Sequence, residues 1–579
     1  MKTTQKTYDM SRRNFMTLAG GAMGFAALAA TGLASGKAYA AENTPNLPEI
    51  DSDKLSTTTT EADVLVVGSG IAGVFAAVKA NDAGAKVLIV SKGRLGASGL
   101  TPFARGIFAY DPSTAKMSLD EYVASVSHSA LGTNNPIFTR QTAKHSLARV
   151  KELKSWGFFD SNLFAESFAK PISERNIPVL ERVMLTHLIK EHGRIAGAAG
   201  FSIDDGTIHF LKAKGVVLCT GAGGFKPNGF PVCDLTHDGS IMAYRIGAKI
   251  TGKEWNDGHP GNLEHPASVY DQWKGEIERN PSVVGVNIRH DLGVEQNYLA
   301  YTKGPQHEKS ASPMEMGVVA EGGPYRPSGF EKSGPPPSVD HNKKGNQAPP
   351  GMGVIPSGGA SAGMSIHKSE GLVPYDENGA SNIPGLYAAG DALGSHMSGG
   401  IYTQIGSSLV GSAVQGGIAG EAAASNAKGK TMPVIPDARQ RHIRKEILAP
   451  LNRKRGYSPA WVTQTLQGIM IPNFVLYIKK ESMMMAALAF AEELRDHHSP
   501  MLRAADLHEL RLAHETANMI MNAEMKLRAS IMRKESRCSH YRLDYPNMDT
   551  KNWNAWINIY KGRDGSMKLE KQAFGSWPT

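Results

Sequence analysis

Four apolar residues, Val64-Leu65-Val66-Val67, follow Asp63 and run straight into Gly68-Ser69-Gly70-Ile71-Ala72-Gly73. A short unbroken apolar run closed by a turn predicts a buried strand. Beyond the glycines, residues 74–83 have the small, apolar spacing of a helix packed on a sheet, Gly84 ends it, and residues 87–90 predict a second, parallel strand. The strand-then-glycine pattern returns twice, at Val216-Val217-Leu218-Cys219-Thr220-Gly221-Ala222-Gly223-Gly224 and at Ile383-Pro384-Gly385-Leu386-Tyr387-Ala388-Ala389-Gly390-Asp391-Ala392. Residues 328–353 are rich in Pro, Gly and Ser and predict an irregular loop. From Met432 the pattern turns helical. Trp461, Leu466, Ile469 and Met470 are spaced for one amphipathic face, and residues 478–497 and 505–532 predict packed helices of a bundle. The five methionines between Met470 and Met521 are expected to fill gaps in its core.

The first glycine turn carries the firmest chemistry. Only glycine allows so tight a turn and lets backbone N–H groups approach a pyrophosphate at the positive end of a helix. Here strand, loop, helix and second strand are all present, which predicts a dinucleotide site at Gly68, Gly70, Ile71, Ala72 and Gly73. The acid that usually follows the second strand is absent, and Ser91-Lys92 stand in its place. Asp391, after a strand and a tight turn at Gly390, is placed to accept from ribitol hydroxyls. The helix start at Gly406-Ser407-Ser408-Leu409 can face the electron-rich pyrimidine edge of a flavin. A simple NAD dehydrogenase has no use for three glycine-rich strand ends so far apart. With Thr220, Gly221 and Gly223 at the middle one, the pattern predicts FAD.

The N-terminus sets an expected compartment. Ser11-Arg12-Arg13-Asn14-Phe15-Met16 is a twin-arginine pattern, followed by a weakly apolar stretch and Ala38-Tyr39-Ala40, a small-x-small cleavage site. The glycines within that stretch make it a poor membrane anchor. Residues 1–40 are therefore expected to be a signal read by the Tat translocase, cleaved near Ala40, with the protein delivered folded to the periplasm. Of the formal net charge of +9, five basic residues and one acid lie within that signal, so about +5 remains. That is mild, and no basic run with interleaved aromatics occurs, which argues against nucleic acid as a partner. The three cysteines, Cys219, Cys233 and Cys538, form no CxxC, so neither an iron–sulfur cluster nor an attached c-type haem is expected, and no other metal site is predicted.

Arg533-Lys534-Glu535-Ser536-Arg537-Cys538-Ser539-His540-Tyr541-Arg542-Leu543-Asp544-Tyr545-Pro546 is similar to the R-x-E-S-R-G-x-H-x-R-x-D-x-P segment of one flavoprotein family, with Cys538 where Gly is usual. Together with the three glycine segments, it makes the chain resemble the flavoproteins of fumarate reductase, succinate dehydrogenase, aspartate oxidase and adenylylsulfate reductase. The likeness runs from about Glu61 to the C-terminus. It implies an α/β fold with a Rossmann-like FAD domain split over residues 61–231 and 353–425. It further implies an inserted α+β substrate-capping domain at 232–352, and a C-terminal helical domain and tail over 430–579. It also implies further FAD contacts at Ser98, Thr101, Gly106 and Asp238.

The resemblance is most informative where it fails. Leu100 replaces the histidine that holds flavin covalently in relatives, so FAD is expected to bind non-covalently. Arg105 stands where an amide usually lies near the flavin, and a cation there stabilises reduced, anionic flavin. In Thr236-His237-Asp238-Gly239, followed through to Glu254-Trp255-Asn256-Asp257-Gly258-His259-Pro260, His259 falls where relatives hold a substrate carboxylate. The dicarboxylate-binding arginine, however, has become Thr403, and the H-Y-T-M-G-G segment is replaced around residues 358–364. Fumarate then loses the paired cations that orient it. His259, Arg326, Tyr402 and His396, with Arg105, are the candidate catalytic residues, Tyr402 and Arg326 as proton donor or polariser and His396 on a flexible loop near the flavin. The leading expectation is a periplasmic reductase of an activated C=C bond in a small organic molecule, fed with electrons by a separate iron–sulfur or cytochrome protein. An FAD dehydrogenase or sulfur-compound oxidoreductase subunit, and an electron-transfer flavoprotein without its own substrate, stay open.

Overall fold

A computed structural model describes residues 50–103, 107–115, 117–160, 164–226, 234–256, 368–400, 406–471, 475–476 and 478–577. Strand β1 (Thr57–Val67) lies parallel to β2 (Val87–Val90) on one side and to β6 (Ile208–Leu218) on the other. It begins earlier than its apolar run suggests, because Thr57 to Thr60 are β-branched and pair along β6 while facing solvent. β3 (Val179–Leu180) extends the parallel set beyond β2, and β9 (Leu386–Ala388) pairs with the end of β6. β4 (Val183–Glu191) and β5 (Arg194–Ser202) complete an antiparallel meander on the first half of β6. Among the described residues these seven strands form one sheet, with β3-β2-β1-β6-β5-β4 as its main path. β7 (Ile250–Thr251) and β8 (Gly371–Leu372) pair with each other and belong to a second sheet.

Helix α1 (Ile71–Asp82) packs on the sheet, and α2 (Leu119–Ser129) starts with a capping box in which Ser118 and Glu121 each satisfy the other's backbone N–H. α3 (Pro136–Ser155) follows, capped by Asn135 with Pro136 at its first turn, then α4 (Phe164–Glu174) and α5 (Asp238–Arg245). α6 (Ser407–Ala427) lies against α1 by means of small residues. A Cβ on Gly416 would stand 2.2 Å from the Ala72 carbonyl oxygen, and one on Gly420 2.2 Å from that of Ala76. Two bare backbones therefore meet where any side chain would hold them apart.

The C-terminal unit comprises α7 (Asp437–Leu448), α8 (Pro459–Met470), α9 (Glu481–Glu493, continued by a π turn to His498) and α10 (Leu507–Met532). Two expectations hold in part. Leu466 and Met470 are buried and Ile469 packs beside them, but Trp461 is 40% exposed and α8 buries Val462 in its place. Of the five methionines, Met484 and Met519 fill the core, whereas Met483, Met485 and Met501 face outward.

Beyond the helices, β10 (Ile478–Lys479) pairs with β11 (Tyr541–Arg542). The tail then forms a hairpin of β12 (Ala555–Lys561) and β13 (Met567–Ala573), so the C-terminal unit is not purely helical. β12 also pairs with β7, giving a four-stranded sheet β13-β12-β7-β8. Ile241, Met242, Ala243 and Ile250 share one apolar core with Leu65, Val67 and Val216 of the main sheet. Residues 238–251, expected inside the insertion that begins at 232, thus pack against the main sheet. Residues 257–367, which hold most of the expected capping domain, and residues 1–49, which hold the expected signal, lie outside the described residues. No described helix is long and apolar enough to cross a membrane.

Candidate cofactor and active site

The turn between β1 and α1 is as tight as its glycines predict. Gly68 has φ 106° and a Cβ there would strike the Cys219 carbonyl oxygen at 2.2 Å; a Cβ on Gly73 would strike that of Gly68 at 1.9 Å. Gly70 caps α1 without a side-chain bond, and the Ile71 N–H donates to Thr101 Oγ1 at 3.2 Å. Ala72 lies in the same first turn, at the positive end of the helix. Behind it, burial pushes the Cys219 thiol up, so it is held as an unreactive thiol.

Ser91 and Lys92 follow β2. Ser69 Oγ donates to Ser91 Oγ at 2.7 Å. Lys92 donates to Asp238 at 2.7 Å, to Glu515 of α10 at 2.7 Å and to Thr236 at 3.1 Å. Burial alone works to lower its pKa, but Asp238, Glu515 and Asp234 outweigh burial and raise it, so the ammonium is permanent. Ser98 folds back on its own loop, donating to the Arg94 carbonyl at 3.2 Å. At the second glycine turn, Gly221 takes φ 70°, a Cβ on Gly239 would meet Thr220 Oγ1 at 2.0 Å, and Gly223 gives room to the His237 ring.

The third turn brings Gly390 and Asp391 beside α6. Gly390 N–H donates to Gln415 Oε1 at 3.2 Å. Asp391 receives a bond that no local pattern foretells: fully buried Lys368 reaches Oδ1 at 2.6 Å and Ser412 Oγ at 2.5 Å. Burial pulls the Lys368 pKa down, and Asp391 opposes the fall. Gly406 (φ 78°) starts α6 without a side-chain cap, followed by Ser407, Ser408 and Leu409. Ser408 Oγ is buried with no hydrogen-bond partner among the described residues. A helix N-terminus with an orphaned hydroxyl, a glycine cradle that any Cβ would fill and a partly buried acid at the third strand end suit a flavin dinucleotide. Gly68 to Gly73 would hold its pyrophosphate, Asp391 its ribitol and the start of α6 its pyrimidine edge.

His396 is not on a flexible loop. Its ring stacks on Trp556 with centroids 5.2 Å apart, Nε2 lies 3.3 Å from Thr251 Oγ1, and its backbone bonds to Lys368 and Asn135. Burial, aided by Arg533, pushes its pKa down to about 3, so the imidazole is neutral and no proton donor at ordinary pH. His259, Arg326, Tyr402, Arg105 and Gly106 lie outside the described residues.

Beside the cradle lies a buried ionic region that sequence reading missed. Glu370 bonds Lys253, Lys526 at 2.6 Å and His237 Nδ1 at 3.0 Å. Arg533 bonds Glu254 at 2.9 Å and Glu535 at 2.8 Å, with its guanidinium over the Trp255 ring. Arg542 donates to the Ser530 and Ile531 carbonyls, closing the C-terminal end of α10, and pairs with Asp544 and Glu481. His540 Nε2 lies 3.1 Å from the Arg533 carbonyl and Nδ1 2.8 Å from Lys479 Nζ. A carbonyl only accepts, so the Nε2 proton donates to it and Nδ1 accepts from Lys479. Burial and the neighbouring cations hold His540 neutral. Among the described residues, no group of three or more His, Cys, Asp or Glu could hold a metal ion.

The two ends of this architecture match known families. Residues 63–226 match the FAD dependent oxidoreductase model, and residues 463–575 match the fumarate reductase flavoprotein C-terminal model. The chain is therefore an FAD-dependent oxidoreductase, and FAD is its cofactor. More particularly, its C-terminal region and its relatives make it similar to the fumarate reductase flavoproteins. It is 26% identical to one subunit of the fumarate reductase (CoM/CoB) of Methanothermobacter marburgensis, over 84% of this chain and 95% of that protein. It is 23% identical to L-aspartate oxidase of Streptomyces coelicolor, over 88% and 93%. Its fold is similar to that of Mycobacterium smegmatis Sdh1, with a TM-score of 0.68 and 23% identity over 90% of this chain and 94% of that one.

Proposed function

We propose that this chain is a periplasmic FAD-dependent reductase that saturates an activated C=C bond in an organic acid or enone other than fumarate. The observation that carries the reading is a flavin cradle joined to a fumarate reductase-type C-terminal region, in a chain where the position of the dicarboxylate-binding arginine holds Thr403. A substrate carrying a single carboxylate, or none, needs fewer cations than fumarate does. FAD held in this cradle would supply the hydride chemistry. The chain's own groups do the rest. Lys368 fixes Asp391 in place for the ribitol, and the start of α6 turns its N–H groups to the pyrimidine edge. His259 holds a substrate carboxylate, Arg326 polarises the acceptor, Tyr402 delivers the proton to the second carbon, and Arg105 favours the reduced flavin. His396 packs on Trp556 and takes no part as an acid.

FAD is held without a covalent bond in this reading, because Leu100 replaces the attaching histidine. Three dispersed cysteines are too few for an iron–sulfur cluster, so a separate iron–sulfur or cytochrome protein delivers the electrons. The twin-arginine segment supports export by the Tat translocase. Anaerobic re-oxidation of the dithionite-reduced protein tests the reading, with flavin absorbance followed against unsaturated acids, enones and sulfur oxyanions. Rapid re-oxidation by an unsaturated compound and not by fumarate is the expected result. Re-oxidation by none of them faster than by buffer transfers the assignment to a dehydrogenase or to an electron carrier.

A further inference from the structure

We propose that helix α10 of the C-terminal unit is part of the FAD site: Glu515 and Asn518 position Lys92 and Asp238, so that cofactor binding and seating of that helix are one coupled event. This rests on the assignment of FAD as cofactor, not on the identity of the substrate.

In βαβ dinucleotide folds an acid after the second strand takes the ribose hydroxyls. Here Lys92 occupies that place, and an ammonium has no acceptor to offer. The missing carboxylates arrive from elsewhere. Asp238, in the first turn of α5, bonds Lys92 through Oδ2 at 2.7 Å and receives Asn518 Nδ2 on Oδ1 at 2.7 Å. Thr236 Oγ1 lies 3.0 Å from both of its oxygens. Glu515, fully buried on α10, bonds Lys92 through Oε1 at 2.7 Å and Lys226 through Oε2 at 2.5 Å, with Arg511 at 3.9 Å. Lys226 lies just beyond the glycine turn of β6. One carboxylate thus reaches the loops after both β2 and β6, the strand ends that flank the dinucleotide crevice. Burial works to raise the Glu515 pKa, but Lys92, Lys226 and Arg511 outweigh it and hold it down at about 2. Removing that charge leaves two partly buried lysines short of a partner, and throws Lys92 wholly onto Asp238 and Thr236. Glu515 and Asn518 are positioning residues, acting on the cofactor through Lys92 and Asp238.

The same helix carries its own control. Glu524 is also buried, at 2% exposure, and is also ion-paired, to Arg495 at 2.6 Å and Arg528 at 2.8 Å, but it touches neither crevice loop. Glu515→Gln and Glu524→Gln make the same chemical change in the full-length protein. After FAD is stripped, its affinity is read by flavin fluorescence on re-titration, and thermal unfolding is followed with and without FAD. Glu515→Gln is expected to weaken FAD binding about tenfold or more and to narrow the gap between loaded and stripped melting temperatures. Glu524→Gln is expected to lower both melting temperatures together and leave FAD affinity within about twofold. Should Glu515→Gln not fold, Asn518→Ala carries the same measurement, with weakened FAD binding expected. Unchanged affinity in the Glu515→Gln variant, or in Asn518→Ala where that replaces it, overturns the proposal, as does an equal loss of affinity in Glu524→Gln.

Discussion

The contact between α1 and α6 and the buried run from Arg533 to Arg542 do the same job, holding together pieces of chain remote in sequence, by opposite means. The first removes side chains. Gly416 and Gly420 bring two backbones together, and the joint is apolar and independent of pH. The second adds charges. Arg533, Glu535, Arg537 and Arg542 are all buried and all paired, tying α10 to β12 and to Glu254. A glycine joint is specified by two residues and is intolerant of any addition. An ionic joint is specified only when every partner is present, and is intolerant of any removal.

Removing a partner from the ionic joint should have the largest effect. Arg533→Met leaves Glu254 and Glu535 buried with too few cations, and loss of one partner from such a set costs about 3–5 kcal/mol. Denaturant unfolding of the FAD-loaded protein measures it; a loss under about 1 kcal/mol would show that water already screens the pair. Next comes Gly416→Ala, which forces a Cβ into the Ala72 carbonyl and should cost about 1–3 kcal/mol by overpacking. It should also release FAD, because α6 carries Ser408 and its N-terminal N–H groups, so flavin retention on gel filtration is the second readout.

The third effect is smaller at any single step and separates the two joints by pH. His237 is held down at about 4 and His396 at about 3, in both cases first by burial. Their ordinary value is 6.5, so below it the unfolded chain takes up protons that the folded protein refuses, and stability falls as pH falls. The window runs from about pH 6.5 to about 4, at up to about 1.4 kcal/mol per pH unit for each imidazole. Unfolding midpoints at pH 7.5, 6 and 5 should slope downward, less so in His396→Asn. Gly416→Ala should displace the whole profile without changing its slope.

What the sequence reveals follows the same division. The cradle at Gly68 to Gly73, the turn at Thr220 to Gly223 and the start of α6 are each a strand or helix end with its own turn, so a few adjacent residues announce them. The Lys368–Asp391 bond, the Lys92–Glu515 bond and the burial of His396 against Trp556 are contacts between distant segments, and no local spacing carries them. The tail hairpin was readable in principle. Trp556, Asn558 and Tyr560 alternate with Ile557 and Ile559, and Asp564-Gly565 marks the turn before β13. The outward methionines of α9 are a failure of composition as a guide, since sulfur-rich stretches read as core whichever way the helix faces. Cys538 has a clear physical reading once placed. It takes φ 52°, the left-handed region, where the family segment has glycine.

The pairing of β12 with β7 also bears on the order in which the protein can be made. A ribosome adding about 5–20 residues per second finishes β7 long before β12 exists. Through that interval β7 keeps an unpaired strand edge, an invitation to other strands that only the arrival of residues 555–561 withdraws. A chain cut short before that point, however well its glycine turns have formed, still displays the mark of an unfinished protein.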